Sequence, residues 1–412
     1  MNLLFKIAWR NIWRNWRRSV LTMLAVVFAV FFINVMKGIQ TGTFEANIRY
    51  TLNLFSGHIQ IQKEGFQDNP TLNKAFSLDL EMLGKLQNDE YIRGFCPRIT
   101  SFGLIGKNEK SLGTAIIGID PTAELLNSEF PNRIKDGIFV SSVDENIINV
   151  GERMLKNLNA KLGDTVVILS QAFDGTMGNK KFVIGGVFRF GNNEFDGMTI
   201  FMNIKAADEL LAMNNKINSL AVFIDNLDNL DIASTNLKSL AKSKVDKGIV
   251  VLPWFEVLRD LKQTVDMKVI GEIFYVLILL MIVGFGILNT VLMSITERFR
   301  EFGVMLALGT RHYIIVLSVF IETIIISLLG ISIGTLFAYL LNSYFAKNPF
   351  MLKGDFTKLY EELGYLPEIY SSVSTEIFTS TAILIFSVSI LVYIYPAFRL
   401  YKLTALKGIR YT

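Results

Sequence analysis

Cysteine and histidine are nearly missing from this sequence, and so are the short motifs that announce phosphate or metal chemistry. Of 412 residues, one is a cysteine, Cys96, and two are histidines, His58 and His312. A lone cysteine excludes an intrachain disulfide framework and is read as a buried free thiol. Two histidines assigned to opposite sides of a membrane cannot share a catalytic or metal centre. Neither a Gly-x4-Gly-Lys-Ser/Thr phosphate loop nor a His-Glu-x-x-His zinc motif occurs. The chain is therefore expected not to be an enzyme itself, with no catalytic residue and no metal or cofactor bound directly. Nor is a nucleic-acid partner expected. Charge is scarce too: 19% of residues are Asp, Glu, Lys or Arg, against about a quarter in a typical soluble domain.

What replaces charge is apolar surface, 51% of the residues. Four runs are long enough to span a bilayer: Ser19 to Met36, Ile273 to Ile295, Tyr313 to Leu341 and Phe378 to Tyr395. The first follows a basic segment (Lys6, Arg10, Arg14, Arg17, Arg18), as a secretory signal would. However, it continues into "FFINVMKGIQTG" with no A-x-A-like cleavage site, and an uncleaved span is expected. Lys and Arg gather at that N-terminus, between the second and third runs (Arg298, Arg300, Arg311), and at the C-terminus (Arg399, Lys402, Lys407, Arg410). The positive-inside rule puts all three groups in the cytoplasm, with both termini inside.

The expected organisation is a cytoplasmic interfacial helix over 1–18, then the first span and the start of a stalk over 19–42. A mixed α/β extracytoplasmic domain follows over 43–265. The remaining spans are 266–295, 313–342 and 377–398, separated by a cytoplasmic helix over 296–312 and an outside loop over 343–376. A cytoplasmic tail closes the chain over 399–412. In "MNLLFKIAWRNIWRNWRR" residues Leu4, Ile7, Ala8, Ile12 and Trp16 share one helical face opposite a basic one, with Trp9 and Trp13 nearby. That pattern suits a helix on the inner leaflet, and equally an ordinary basic flank.

In the outside domain, "GHIQIQ" switches to a period of two, a strand signal. Further strands are predicted over 114–120, 164–170, 181–190, 198–203 and 219–225, with a hairpin at Asp174 and Gly175. Helices are predicted over 151–163, closed by Gly163, and over 203–213 and 229–243. From Trp254 no breaker precedes the second span, so one helix of about forty residues, roughly 60 Å long, is expected to rise beyond the bilayer as a stalk.

Inside the third span, Glu322 is a candidate intramembrane polar site, since an acid at the bilayer centre costs roughly 2.5 to 3.5 kcal/mol. The sequence names no partner for it. Gly330, Gly334 and Ala338 form a small-residue stripe that lets another helix approach closely, and association with a second copy or a homologous subunit is expected.

Between the second and third spans, Ile295, Phe299, Phe302 and Leu306 make an apolar stripe flanked by charge, as in a short amphipathic helix. Its sequence, "ERFREFGVMLALGT", closely resembles the signature of FtsX-like permeases of the ABC transporter superfamily, where this segment is the coupling helix against the ATPase. The match is at Glu297, Arg298, Arg300, Glu301, Gly303, Ala307 and Gly309. It departs at Met305, where many relatives have Leu, and at Leu306, where a basic residue is usual, which removes one polar contact. "AWRNIWRNWRRSVLTMLAVVFAV" and "YPAFRLYKLTALKGIR" are similar to the family's two ends, while "GHIQIQKEGFQDNP" and "LNAKLGDTVVIL" are similar to segments of its lipoprotein-releasing branch.

The resemblance implies a permease of the bacterial inner membrane whose coupling residues are Glu297, Arg298, Arg300, Glu301, Phe302, Gly303, Met305 and Gly309. ATP and Mg would act only through a partner, a cytoplasmic ABC ATPase subunit. A second permease copy or homologous permease, the lipid bilayer, a lipoprotein and a periplasmic carrier are the other implied partners. The leading expectation is lipoprotein release by mechanotransmission. The alternatives are peptide or antibiotic efflux from the periplasm, though the macrolide-exporter branch carries a fused N-terminal ATPase not seen here, and a cell-division-type transmitter that activates a cell-wall hydrolase.

Overall fold

The computed structural model describes residues 2–14, 16–78, 80–140, 146–242, 248–362 and 365–404. Lys407 and Arg410, and the side chains of Leu4 and Ile7, lie outside what is described. The chain forms two units: Met1–Glu45, Val265–Met351 and Glu368–Thr412 make one, and Ala46–Thr264 with Leu352–Pro367 make the other. The segment expected over 43–265 therefore corresponds to Ala46–Thr264, to which the structure adds part of the loop between the last two spans.

The first unit is helical. Among the described residues, four helices are long and apolar enough to cross a membrane: Ser19–Ser56, Arg259–Glu297, His312–Lys347 and Thr375–Tyr401. They are called the first to fourth span helices below. Their core is built from Val26, Val30, Ile33, Val283, Ile287, Ile295, Phe302, Ile315 and Ile385. Gly330 and Gly334 lie against the first span helix of the same chain. A Cβ at Gly330 would stand 2.8 Å from the Val26 Cβ, and one at Gly334 would stand 2.7 Å from the Val27 carbonyl oxygen. Ala338 on the same stripe is fully buried. The small residues thus serve packing within the chain, which removes them as an argument for a second copy. Beyond them Asn342 donates through Nδ2 to the Asn34 carbonyl at 3.0 Å, and Ser372 N–H donates to the Gly38 carbonyl at 2.8 Å.

The entry helix, Asn2–Arg14, contacts the third span helix. Ala8 and Asn11 are buried, whereas Trp9 and Trp13 are exposed, as is Trp16 at the start of the next helix, an arrangement that suits indoles at a membrane boundary. Past the apolar runs, the first and second span helices stay paired. Lys37 Nζ lies 2.9 Å from Glu272 Oε1, and Lys268 Nζ donates to Thr41 Oγ1 at 3.4 Å while standing over the Phe44 ring.

The unbroken helix expected from Trp254 is two helices, Trp254–Val257 and Arg259–Glu297. The break meets a residue distant in sequence: Gln67 Nε2 donates to the Val257 carbonyl at 2.8 Å, taking an acceptor that a continuing helix would use. The 39 residues of the second helix still span about 58 Å at 1.5 Å per residue.

The second unit holds a ten-stranded mixed sheet with strands β1 (Ile59–Lys63), β2 (Ile92–Lys107), β3 (Lys110–Ile119), β4 (Ile134–Gly137), β5 (Ile147–Gly151), β6 (Thr165–Gln171), β7 (Met177–Phe188), β8 (Thr199–Asn203), β9 (Ser219–Ile224) and β10 (Ile249–Pro253). Their order is β10-β1-β9-β2-β3-β8-β5-β7-β4, with β6 bridging β2 and β7. The β3–β8 and β5–β7 pairs are parallel and the rest antiparallel. Every predicted strand is present, and the Asp174–Gly175 hairpin joins β6 to β7, with Asp174 Oδ1 accepting from Thr176 N–H at 3.0 Å.

The longest strand, β2, was not predicted, because Gly94, Pro97, Gly103 and Gly106 interrupt its alternation. Gly103 is needed there: a Cβ would lie 2.3 Å from the Leu169 carbonyl oxygen of β6. The helix predicted over 151–163 stops at Asn157. Asn159 turns left-handed (φ 50°), and Gly163 (φ 86°) belongs to the turn into β6 rather than to a helix cap.

Three buried side-chain groups fill the second unit among the described residues, the smallest of them Cys96, Ala221 and Phe223. Ile59, Ile61, Ile116, Ile200 and Val222 lie in the main core, and Phe130, Phe188, Phe190 and Phe201 form a separate aromatic cluster. Beside the cluster, Arg98 Nε bonds Glu124 Oε1 at 2.8 Å, with its guanidinium 3.6 Å from the Phe55 ring centre. Cys96 is fully buried and unbridged, as its sequence context predicts, and burial raises its thiol well above the usual range.

Candidate coupling site

The second span helix ends at Glu297, and Arg298, at φ −101° and ψ 9°, turns the chain into a nine-residue helix, Phe299–Ala307. This inter-span helix is closed by a glycine. Gly309 takes φ 90°, its N–H donates to the Leu306 carbonyl at 3.0 Å, and Thr310 N–H donates to the Met305 carbonyl at 3.0 Å. A left-handed residue just past a helix end favours glycine because a side chain there is strained. Three residues later the third span helix starts at His312, whose Nε2 lies 2.8 Å from the Leu403 carbonyl oxygen.

The apolar stripe read from sequence is the inward face. Ile295, Phe299 and Phe302 are buried and Leu306 packs against the same cluster. Arg298 is turned inward with them. Only 6% exposed, it donates through Nη1 to Glu322 Oε2 at 3.1 Å, and Glu322 itself is 8% exposed. A buried ion pair is costly to form, but losing one partner is costlier still, because the other charge is left without compensation. Arg298 also reaches Glu301 Oε2 through Nε at 3.4 Å, and its guanidinium stands 4.8 Å from the Phe302 ring centre.

Glu301 continues the chain of charge to Arg14 of the entry helix, 2.9 Å away. Partial burial works against its ionisation, but the Arg14 bond and charge, with the Arg298 charge, hold its carboxyl below the usual range. The series Arg14, Glu301, Arg298, Glu322 is neutral in sum and ties the entry helix, the inter-span helix and the third span helix together. What it provides is a mechanical fastening.

The eight residues proposed from sequence therefore divide. Glu297, Arg300, Glu301 and Gly309 lie on the exposed side, Met305 is half-buried, and Arg298, Phe302 and Gly303 are buried. The exposed side also carries Val304 and Leu308, the latter 81% exposed, and Arg311. Arg300, Val304, Leu308 recur every four residues, a spacing that marks a second helical face. That signal was present in the sequence but overshadowed by the stronger apolar stripe. The Glu322 partner, 24 positions away, and the Arg14 contact carried no local signal.

Comparison with known proteins places these features in a family. Residues 273–405 match the FtsX-like permease C-terminal family profile, and residues 19–240 match that of the MacB-like periplasmic core domain. Among curated relatives, the macrolide export ATP-binding/permease protein MacB of Aggregatibacter actinomycetemcomitans is 26% identical over 337 residues, 76% of this chain and 49% of that protein. The lipoprotein-releasing system transmembrane protein LolC of Xylella fastidiosa is 21% identical over 403 residues, 95% and 94% of the two chains. The chain spans about half the length of the MacB relatives it matches. A solved periplasmic region of MacB from Actinobacillus actinomycetemcomitans overlaps 54% of this chain and 97% of that one, at 20% identity and a TM-score of 0.38. Four apolar helices, an inter-span segment carrying the Glu297–Gly309 signature and an α/β unit that the MacB-like match covers as far as residue 240 lead to one assignment: the chain belongs to the FtsX-like permease family of ABC transporters.

Proposed function

We propose that this permease works with a separate cytoplasmic ATPase subunit, which supplies ATP and Mg, and converts ATP hydrolysis into movement of its extracytoplasmic α/β unit. The observation that carries the reading is the fastening behind the inter-span helix. Arg14, Glu301, Arg298 and Glu322 hold its inner face to two other helices, while Arg300, Val304 and Leu308 remain on its outer face. A push on that face is passed to the span helices instead of being absorbed by a loose loop. The second span helix, about 58 Å long, and its pairing with the first at Lys37–Glu272 supply a lever through the membrane. Both termini are assigned to the cytoplasm by the Lys and Arg distribution.

For the client we propose lipoproteins released from the outer face of the inner membrane to a periplasmic carrier, with a second permease copy or homologous subunit completing the complex. Correspondence with LolC over nearly the whole of both chains supports this. Export of a peptide or antibiotic is the second reading, supported by the greater identity to MacB. The two are separated by reconstituting the purified complex in liposomes that carry a lipid-anchored protein. ATP-dependent appearance of that protein in the soluble fraction with an added carrier is expected. Hydrolysis without release, joined by ATP-dependent movement of a macrolide or peptide, would overturn the lipoprotein reading in favour of export.

A further inference from the structure

Beside Glu322, between the first, second and third span helices, lies a cavity of about 30 Å³. Most of the surface it presents is apolar, but six hydroxyl side chains, Ser19, Thr22, Thr290, Ser294, Thr323 and Ser327, line it together with Glu322. Thr290 and Thr323 spend their hydroxyl protons on the Gly286 and Val319 carbonyls of the preceding turns, which leaves their oxygens as acceptors. Ser19, Ser294, Ser327 and the second Glu322 oxygen, Oε1, make no hydrogen bond with any described residue. Serines within helices commonly bond back to the carbonyl one turn earlier; these three do not.

We infer that this cavity is a built water site, in which bound water joins Glu322 Oε1 to the hydroxyls of Ser19, Ser294 and Ser327. Each buried water needs roughly 10–15 Å³ of such space and two to four polar partners, so the cavity suits about two. Charge selects water over a metal ion. Arg298 already neutralises Glu322, so a monovalent cation would introduce an unbalanced charge at a depth where one costs roughly 2.5–3.5 kcal/mol. Water completes the carboxylate's hydrogen bonding at no such cost. It also gives Glu322 an alternative partner when Arg298 shifts with the inter-span helix, so the fastening can slide without stranding a bare charge; this consequence, unlike the site itself, rests on the coupling function proposed above.

The test is radiolytic hydroxyl-radical footprinting of the full chain in lipid nanodiscs, in which bound internal water labels adjoining side chains that bulk solvent does not reach. Ile287 and Val319 line the cavity, whereas Val283 and Ile385 are equally buried in the same core away from it. Labelling of Ile287 and Val319 several-fold above that of Val283 and Ile385 is expected. It should fall to the level of those controls in Ser327→Leu, which fills the space, and should drop in Ser294→Ala, which keeps the packing. Equal labelling of all four residues in the wild type would overturn the proposal. So would a rise in melting temperature specific to sodium over choline chloride, which would make the cavity a cation site instead.

Discussion

Arg298 and Glu322 stand 24 positions apart, and the acid depends on the arginine for its partner. Removing Arg298 leaves Glu322 buried and unpaired, a loss of about 3–5 kcal/mol, whereas replacing both by apolar groups of similar size is often neutral or better. Arg298→Met is therefore expected to lower the melting temperature in mild detergent, and Arg298→Met with Glu322→Leu to recover most of it; a double variant as unstable as the single would show that the pair does not matter to stability. His58 makes a second prediction. It is 2% exposed, and burial, reinforced by the charges of Arg93 and Arg49, pushes its imidazole down to about 4. Its Nδ1 accepts from the Ile224 N–H at 3.4 Å, which requires the unprotonated ring nitrogen. Since the unfolded chain binds that proton near the ordinary 6.5, stability is full above this value and falls as pH drops from about 6.5 towards 4, by at most about 3 kcal/mol. Denaturant unfolding followed at Trp254, whose N–H donates to the His58 carbonyl, should show that slope in the wild type and a flatter one in His58→Gln. At this scale the sequence marked Glu322 as an acid out of place and Cys96 as a buried thiol. It did not mark Arg298 as the partner, because long-range pairing leaves no periodic trace.

At the scale of elements, the span helices were legible as long apolar runs, and the predicted strands and the short amphipathic helix by composition and by their periods of 2 and 3.6. Strand β2 was illegible for a matching reason. Its glycines answer to neighbouring backbones, as at Gly103 against Leu169, and so break the alternation that would have announced it. The stop at Leu258 likewise depends on Gln67, 190 positions earlier. The stripe of Gly330, Gly334 and Ala338 was legible as a packing surface, but which helix it met was not. With the Val27 carbonyl 2.7 Å from where a Cβ would stand, Gly334→Leu is expected to push the first and third span helices apart. A cost of about 1–3 kcal/mol typical of overpacking follows, read as a lower melting temperature with no change in the oligomeric state set by other surfaces. A variant that melts like the wild type but changes its oligomeric state would instead place the stripe at a subunit interface.

On the scale of the whole molecule, the proposed function predicts that the outer face of the inter-span helix, not its inner face, holds the ATPase. Arg300→Ala with Leu308→Ala should release a co-purifying ATPase and abolish its permease-dependent hydrolysis, while leaving the melting temperature near that of the wild type. Phe302→Ala is expected to lower stability by about 3–5 kcal/mol through the cavity it opens, and so is a poor probe of the same contact. An intact, fully active complex in the double variant would move the contact elsewhere. By itself the sequence determined the membrane class, the number of long apolar helices, the mixed α/β character of the large insertion and the family, since all of these rest on composition, periodicity and a contiguous motif. Only the tertiary structure decided which face of the coupling segment is free, where the small-residue stripe packs, and that Glu322 sits between an arginine and a cavity lined by hydroxyls. Those facts depend on groups brought together from distant positions in the chain, and distance through space is the one quantity that local patterning does not encode.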